Sequence, residues 1–459
     1  MRRVLAAFLV FAALAAGLIV GAYAAVLPQG DQAVFTVRTL AGDPAAAAEG
    51  LELSPVRICD RYLVWDAAFP AAAPEQAGLS WNFYWCQYTE GHIAPRWLPL
   101  SIELDGGYAE PDRTHNNPLA QAVLDALSRG DTSAYRTDTD NFLTLRMADY
   151  ADTLPFEVDA DTFTIGESRV VSSASEVTDL FRAYFSIPTP DGLQMEITLH
   201  AAQDGTIPFL SFEPDDALTL SSPSLSNGSG LYFTLCAQGE LAWELDPSQI
   251  PGGWGLYRFD GTDIETVWSL PEGERPANFW SDGEDFFFLS RDREGAYLYL
   301  LDPETFTQEG RLTLFPLDAA APNPAFYLDG EEGFLAVAST GRLALLTREN
   351  GDWNPAFTAD TSVQEEAGCP LYGYMDMADE WSGYLDWAFD GTRLAVTRAW
   401  EGGDCYAAVY DAGGLAWLGG YTSTFQNTYC DSDLPYMGSR FTTLGPADSS
   451  LCCPAAWTG

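Results

Sequence analysis

Apolar residues recur along most of the chain in short runs, without the spacing of helices. From about Leu51 onwards, runs rich in Val, Phe, Tyr, Trp and Leu alternate with Gly, Asp, Asn and Pro. Runs of this length between turn-forming residues are typical of β-strands. The apolar run at 286–289 further indicates a strand buried on both faces, because a half-exposed strand would alternate. The pattern predicts a mainly β protein.

One pattern, an aromatic residue followed by an Asp-Gly pair and a short apolar run, recurs along the chain. Copies are FWSDGEDFFFLSRD at 279–292, FYLDGEEGFLAVAS at 326–339 and WAFDGTRLAVTR at 387–398. Asp-Gly supplies the positive φ of a tight turn between strands. The expected turn residues are Asp282, Gly283, Asp329, Gly330, Asp390 and Gly391.

Each repeat is long enough to hold one small antiparallel sheet. Together with a related segment at 255–268, the repeats divide residues 228–425 into modules of a few strands each. Sheets that recur at this period are typical of propeller blades. The sequence therefore predicts a β-propeller of roughly seven or eight blades, with clear repeats in residues 226–446 and strands in residues 51–110 that close the ring.

The best-preserved copy resembles the TolB-type propeller repeat, a WD-like blade that also occurs in prolyl-oligopeptidase propellers. The resemblance spans residues 279–314 and rests on Trp280, on the Asp282-Gly283 turn and on the strand that ends at Ser290. The proline that usually precedes Asp-Gly in that family is absent from all the copies. The resemblance implies an extracytoplasmic binding scaffold and identifies no partner.

Residues 111–225 differ, because apolar residues there follow helical spacing in two places. One candidate helix covers 116–131, and a second covers 173–185 and opens with a capping box from Ser173 to Glu176. Strand-like segments lie on both sides of the second helix. Two interpretations stay open, a small α+β domain or an elaborated blade.

Residues 1–26 have the features of a targeting segment. Arg2 and Arg3 precede an uncharged, mostly apolar stretch that ends at Val26 and is long enough to span a membrane as a helix. Because the positive end stays inside, the rest of the chain is expected outside the cytoplasm. The stretch from residue 4 to 26 is either a signal anchor in the cytoplasmic membrane or a signal peptide cleaved near Ala24. Beyond it, we expect an Ala-rich spacer at 27–50 and a C-terminal tail at 447–459.

The balance of charge disfavours several classes of partner. The 459 residues include 66 acidic and 22 basic side chains, a formal net charge of −44, and every basic one is arginine. Such a polyanion repels nucleic acid and anionic lipid headgroups. We therefore expect a protein or cell-surface ligand of unknown identity, no nucleic acid, and membrane contact through the N-terminal helix alone.

The cysteines are compatible with disulfides, since an exported chain with 8 of them meets an oxidising environment. Cys59 and Cys86 lie in consecutive strand-like segments, which favours a bridge between them. Cys405 and Cys430 form a second candidate pair. The sequence contains no C-x-x-C pair, so a zinc cluster is not expected.

The sequence offers little catalytic chemistry. It contains no G-x-S-x-G nucleophile elbow, and its 3 histidines are scattered through the N-terminal half. Carboxylates are so numerous that pairing them indicates nothing. Asp138 and Asp140 alternate as in a calcium loop but lack its glycine and distal glutamate, so a solvated loop competes with a structural calcium site. We therefore expect no catalytic residues and no cofactor apart from that candidate calcium.

Three functional hypotheses follow. The leading one is a non-enzymatic, membrane-tethered, extracytoplasmic propeller that binds a protein or cell-surface ligand. The alternative is a propeller-type polysaccharide hydrolase or lyase that uses carboxylates without a recognisable motif. The third is a structural role within a cell-envelope complex.

Overall fold

The computed structural model describes most of the chain, with gaps. The described residues are 8, 10–21, 34–59, 63–83, 98, 100–102, 140–158, 162–165, 168–171, 174–200, 209–214, 217–227, 229–317, 326–331, 333–339, 341–362, 385–399, 405–424 and 455–458. The candidate helix at 116–131 lies outside them. Residues 10–21 are helical. Among the described residues, no helix combines the length and the apolar character needed to cross a membrane.

Strands dominate the described part of the chain. Those of the N-terminal part are β1 (Phe35–Gly42), β2 (Leu51–Leu53), β3 (Val56–Cys59), β4 (Leu63–Pro70), β5 (Gly78–Phe83), β6 (Leu100–Ile102), β7 (Asp140–Arg146), β8 (Phe156–Val158), β9 (Thr162–Ile165), β10 (Ser168–Val171), β11 (Gln194–His200) and β12 (Phe209–Pro214). The middle contains β13 (Thr219–Ser221), β14 (Ser224–Asn227), β15 (Gly230–Phe233), β16 (Cys236–Gln238), β17 (Gly255–Phe259), β18 (Ile264–Ser269), β19 (Arg275–Ser281), β20 (Phe286–Arg291), β21 (Gly295–Leu301) and β22 (Gln308–Pro316). The remaining strands are β23 (Phe326–Glu331), β24 (Phe334–Ser339), β25 (Arg342–Glu349), β26 (Asp352–Asp360), β27 (Leu385–Phe389), β28 (Leu394–Ala399), β29 (Cys405–Asp411), β30 (Gly414–Ser423) and β31 (Ala455–Trp457).

Helices are short and few in the same residues. The α-helices after residue 21 are α1 (Pro44–Ala47) and α2 (Ala174–Tyr184), and 3-10 turns lie at Pro74–Gln76, Met147–Asp149, Glu240–Trp243 and Pro247–Gln249. The protein is thus mainly β, as the apolar pattern predicts, and its strands form many small antiparallel sheets that are consistent with a propeller-like fold.

The chain divides into two compact units. Residues 92–339 form one unit, and residues 1–91 together with 340–459 form the other. The boundary falls inside the repeat region at 226–446: β23 pairs with β24 in the continuous unit, and β25 pairs with β26 in the discontinuous one.

Two four-stranded sheets of the continuous unit have the order expected of propeller blades. β14, β15, β17 and β18 are neighbours in that order, and so are β19, β20, β21 and β22. All six residues of β20 are buried, which explains why its sequence does not alternate. On one face, the Trp268 ring lies 5.1 Å from that of Phe288 and 4.9 Å from that of Tyr299, so the two sheets pack through large aromatic side chains.

The segment before these sheets shares their core. Helix α2 buries Val177 and Phe181, two residues of its predicted apolar face. The Phe181 ring stacks on Phe233 of β15 at 5.1 Å, and the Tyr184 hydroxyl is 2.8 Å from that of Thr266 on β18. Strands β9 and β10 precede the helix, and β11 pairs with β7 and β12 after it. The α+β segment is therefore packed directly onto a repeat sheet.

The discontinuous unit joins segments from both ends of the chain. β27, β28, β29 and β30 form a sheet in that order, and β1 pairs with the outer edge of β30. β2 pairs with both β4 and β31. The Trp457 indole donates to the Ala388 carbonyl at 3.0 Å, and the Arg393 guanidinium lies 4.1 Å from the Trp457 ring centre.

Two expected boundaries differ from this arrangement. The spacer at 27–50 contains a strand, because Phe35 is buried against Phe69 at 5.0 Å and β1 satisfies the edge of β30. The tail at 447–459 contains β31, which satisfies the edge of β2. Composition alone indicated neither pairing, since both join residues far apart in sequence.

Asp-Gly pairs form two of the expected turns. The Asp282 carboxylate accepts from the backbone N–H of Glu284 and Asp285, both at 2.8 Å, and Gly283 has φ +93°. In the third repeat, the Asp390 carboxylate accepts from two backbone N–H groups in the same way. Each such carboxylate accepts hydrogen bonds from backbone N–H groups of the turn, which have no acceptor on a neighbouring strand.

The repeat at 326–339 departs from this scheme. Asp329 and Gly330 lie inside β23, where they pair with Ala336 and Leu335, and the turn glycine is Gly333 with φ +93°. The physical reason is the additional residue before the apolar run of this copy, which moves the turn towards the C-terminus.

Replacing Gly283 by alanine should destabilise its sheet. A Cβ there would meet nothing within 4 Å, so the cost arises from the positive φ alone, and we expect the free energy of unfolding to fall by about 1–2 kcal/mol. Gly310→Ala is the matched control in the same sheet, because its Cβ would make an ordinary contact, 3.6 Å from that of Leu300. Urea unfolding measures both, and equal losses would contradict the interpretation.

Acid should weaken the turn at Asp390. Burial raises the pKa of this carboxyl, but hydrogen bonds from the backbone and side chains of Arg393 and Thr392 outweigh it and hold the pKa below its ordinary value. A pKa lowered by folding stabilises the protein above the ordinary value of the carboxyl, and the stabilisation is lost as pH falls through the lowered one.

Asp390→Asn isolates this effect. Near neutral pH the variant should unfold with about 1 kcal/mol less free energy than the wild type, because neutral acceptors bind more weakly. The difference should shrink over the acidic pH range below the ordinary pKa of an aspartate, where the wild-type carboxyl takes up a proton. Unfolding followed by circular dichroism across that range measures it, and a difference independent of pH would count against the carboxylate.

Candidate functional site

Three arginines surround one tryptophan in the continuous unit. The Cζ atoms of Arg275, Arg291 and Arg293 lie 5.8, 5.1 and 5.6 Å from the centre of the Trp243 ring. Guanidinium groups at such distances are attracted by the negative face of an indole. We call these three residues the arginine cluster.

Two features position the cluster: the pairing of β19 with β20, and the connection from β15 to β17. Arg275 begins β19 and Arg291 ends β20, and the two residues face each other directly in the antiparallel pairing. Arg293 lies in the turn from β20 to β21. Trp243 belongs to the long connection from β15 to β17. The cluster therefore lies at the end of a sheet, where connections meet, and not on a packed face.

Burial increases from Arg293 to Arg291. Arg293 is exposed, Arg275 is half-buried and Arg291 is 3% exposed. Burial lowers the pKa of Arg291 to about 10 and also lowers that of Arg275. Both guanidinium groups therefore stay charged at neutral pH, although they lie largely out of water.

Only carbonyl oxygens accept hydrogen bonds from these arginines among the described residues. Arg291 Nη2 donates to the Ala237 carbonyl at 2.9 Å, and Arg275 Nη2 donates to that of Leu245 at 3.0 Å. Arginines that form ion pairs elsewhere in the described ranges include those at positions 146, 258, 311, 342 and 393. The negative charge of Asp246 raises the pKa of Arg275, but the two side chains do not form an ion pair.

Glu274, which directly precedes Arg275, is buried, and its carboxylate already accepts hydrogen bonds from other side chains. Its oxygens accept from the hydroxyls of Ser290 and Tyr299 and from the guanidinium of Arg311, the last at 3.0 Å. This network lies across β20, β21 and β22, and it leaves the arginine cluster without an ion-pair partner among the described residues.

Two buried N–H donors beside the cluster have no acceptor among the described residues. They are Nε of Arg275 and Nε1 of Trp254, whose ring centre lies 5.5 Å from the Arg275 Cζ. Buried donors without partners are uncommon, and they indicate a place for an acceptor that the chain itself does not supply. Together with the three positive charges, they define a site suited to an anion.

The same site offers no nucleophile. Cys236 of β16 is close enough to Arg291 to interact electrostatically, but burial raises the pKa of its thiol to about 12. The thiol thus stays protonated at neutral pH, where the thiolate would be the reactive form. The arrangement supplies charge and hydrogen-bond donors, which serve recognition.

The residues proposed from sequence as site candidates are not brought together by the described structure. Asp138, Cys86 and Cys430 lie outside the described residues, as do the side chains of Asp140, Cys59 and Asp329. The backbone of Asp140 begins β7 and pairs with His200. No group of three or more His, Cys, Asp or Glu that could hold a metal ion occurs in the described residues.

Cys405 is a free thiol in the described structure, and its proposed pairing with Cys430, which lies outside the described residues, stays a prediction. It is fully buried in the core of the discontinuous unit and lies 3.8 Å from the Tyr406 carbonyl. The side chain packs there as a small apolar group.

Sequence reasoning missed the arginine cluster. One signal was available: three arginines fall within residues 275–293 of a chain whose net charge is −44. Their convergence depends on the register of β19 with β20 and on the contact with Trp243 in the connection from β15 to β17. Neither can be derived from the spacing of residues in the sequence.

Comparisons with known proteins add similar structures but no family. No family model matches the chain, and no curated protein is similar to it in sequence. An oligogalacturonate lyase in complex with manganese is 13% identical, with coverage of 62% of each chain and a TM-score of 0.23. This chain therefore spans less than two thirds of that lyase.

Two further structures are similarly distant. An oligogalacturonate lyase from Vibrio parahaemolyticus is 9% identical over 71% of this chain and 85% of that one, with a TM-score of 0.25. The xyloglucan-locus protein GH43B of Bacteroides ovatus is 13% identical over 47% and 46%, with a TM-score of 0.20. At identities and TM-scores this low, none of these similarities indicates what this chain binds or does.

The Cys236 thiol should resist alkylation in the folded protein. Because the group is buried and its raised pKa of about 12 keeps it protonated, iodoacetamide at mildly alkaline pH should leave it unmodified. In concentrated guanidinium the same residue should react fully. Peptide mapping by mass spectrometry measures both states, and rapid modification of the native protein would show that the site is open and the thiol ionised.

Proposed function

We propose that the chain is a non-catalytic binding protein built on propeller-like sheets, and that it recognises an anionic group of its ligand through the arginine cluster. One observation carries the proposal: Arg275, Arg291 and Arg293 converge on Trp243 without an ion-pair partner in the described residues. Their combined charge is unusual in a protein whose net charge is −44.

Energetics favour a ligand at this place. Like charges directly opposite each other on neighbouring strands destabilise a sheet, and Arg275 and Arg291 form such a pair. Removing a guanidinium from water without a counter-ion costs several kcal/mol, of which carbonyl acceptors recover only a part. An anion bound between these groups would offset both costs. The same residues thus weaken the empty sheet and stabilise the occupied one, a common compromise at binding sites.

The alternative, a polysaccharide hydrolase or lyase, requires a carboxylate or another base that can reach its substrate. Glu274, the acid buried next to the cluster, already accepts from three side chains. Asp260 is likewise occupied, because its carboxylate accepts from the backbone N–H groups of Thr262 and Asp263 at its turn. Binding therefore accounts for more of this site than catalysis does.

The remaining features of the proposal come from the sequence. The TolB-like repeats and the strands near the N-terminus support a ring of roughly seven or eight blades. Arg2 and Arg3 ahead of an apolar stretch support an extracytoplasmic location, with the segment from residue 4 to 26 as a signal anchor or a cleaved signal. The strong negative charge favours a protein or cell-surface glycan as ligand over nucleic acid.

A test of this function separates binding from turnover. The purified full chain is applied to an array of cell-envelope and plant glycans, both neutral and carboxylated, with and without calcium. We expect retention of carboxylated glycans that falls at least about tenfold in Arg293→Gln, because a guanidinium–carboxylate bond is worth roughly 1–3 kcal/mol. Mass spectrometry of the eluted glycans should show unchanged chain lengths.

Arg342→Gln provides the control. Arg342 forms an ion pair with Asp360, both in the discontinuous unit, and its replacement changes the net charge by the same amount as Arg293→Gln. Shortened or unsaturated products with the wild type would overturn the non-catalytic proposal. Equal retention by Arg293→Gln and by the control variant would remove the arginine cluster from it.

A further inference from the structure

We infer that the arginine cluster takes one compact oxyanion, a carboxylate, sulfate or phosphate group carried by an otherwise uncharged ligand, and rejects extended polyanions. This inference rests on the proposed function and specifies its ligand. It follows from the convergence of three arginines on one ring, from the gradient of burial across the cluster and from the acids around it.

The three guanidinium groups of the cluster converge on one ring. All three Cζ atoms lie within 5.8 Å of a single ring centre. Residues that face each other on antiparallel strands have Cβ atoms roughly 5 Å apart, so the guanidinium groups of Arg275 and Arg291 start side by side. Guanidinium forks match the planar or tetrahedral oxygens of an oxyanion, which accept paired hydrogen bonds.

The burial gradient limits what can reach the innermost charge. Arg293 is exposed and Arg291 is 3% exposed, so a ligand that contacts both must reach a guanidinium with almost no accessible surface, which favours a small group. The donor atom of Arg275 that lacks an acceptor, Nε, is itself buried. A single oxyanion at the end of a ligand satisfies these conditions, whereas the thick backbone of a polyanionic chain does not.

Acidic residues border the cluster in the chain. Asp292 and Glu294 flank Arg293, while Glu244 and Asp246 follow Trp243. Glu244 and Glu294 are exposed. A ligand with charges along its length would place some of them against these carboxylates, and juxtaposed like charges cost enough free energy to suppress a wrong partner. A ligand with one charged group avoids that repulsion.

The experiment measures which anions bind the full chain. The ligands titrated at constant ionic strength are sulfate, inorganic phosphate, acetate and glucuronate, and binding is followed by tryptophan fluorescence. Glucose serves as the uncharged counterpart of glucuronate, and heparin serves as the polyanion. We expect saturable binding of the compact anions, none of glucose, and heparin binding at least about tenfold weaker per mole than that of the best compact anion. Comparing glucuronate with the inorganic ions distinguishes a sugar acid from a free ion as the source of the group.

Variants assign the binding to the cluster. Arg293→Gln and Arg275→Gln should each weaken the binding of the best anion by about tenfold or more, and Arg342→Gln should leave it unchanged. Arg293 is exposed, so its variant keeps the test valid if Arg275→Gln fails to fold, as circular dichroism would show.

The outcomes separate the inference from the function beneath it. Heparin binding that equals or exceeds that of the compact anions, and that is lost in Arg293→Gln, overturns the size limit but leaves recognition at the cluster standing. Compact anions that bind Arg293→Gln as well as Arg342→Gln overturn the inference and the cluster alike. No saturable binding of any anion, with carboxylated glycans still retained on the array, would overturn only the single-oxyanion mechanism.

Discussion

The hydrogen bonds from turn amides to aspartate carboxylates are the interaction on which the rest of this structure depends. Strands such as β20 are buried along their whole length, so their side chains leave no polar surface that could satisfy the backbone where a strand ends. Asp260, Asp282 and Asp390 supply the missing acceptors from within the turns. Each carboxylate joins two strands and lets apolar faces pack against their neighbours. The acidity of these aspartates is in this sense structural.

Packing on both faces also determines where recognition can occur. The sheet that contains β20, a strand buried on both faces, has mainly its ends to offer to a ligand. The arginine cluster lies at such an end, and its three positive charges are set against a strongly negative molecule. Screening by salt acts most on the exposed Arg293 and least on the buried Arg291, so the inner charge is preserved under conditions in which surface charges are weakened.

Local features of the fold could be predicted from the sequence, and features that join distant segments could not. The run at 286–289 indicated a doubly buried strand, and helix α2 was evident from its apolar spacing. Gly330 was assigned to a turn that Gly333 makes, because one additional residue displaced it. Strand β1 was hidden by the alanines that follow it, since its partner β30 is remote in sequence. The candidate site was missed for the same reason: Trp243 and Arg291 meet only once two sheets have packed.

The pairing of β1 with β30 and of β2 with β31 orders the events by which the chain can fold. Residues 92–339 are contiguous, so that unit has all its partners as soon as they have emerged, whereas the edge of β1 stays open until residues near 420 arrive. Closing so long a loop carries a large entropic cost before any contact compensates it. In a chain delivered from its N-terminus, the aromatic edge around Phe35 and Phe69 is therefore exposed for most of synthesis, and it is the surface that a chaperone would have to shield.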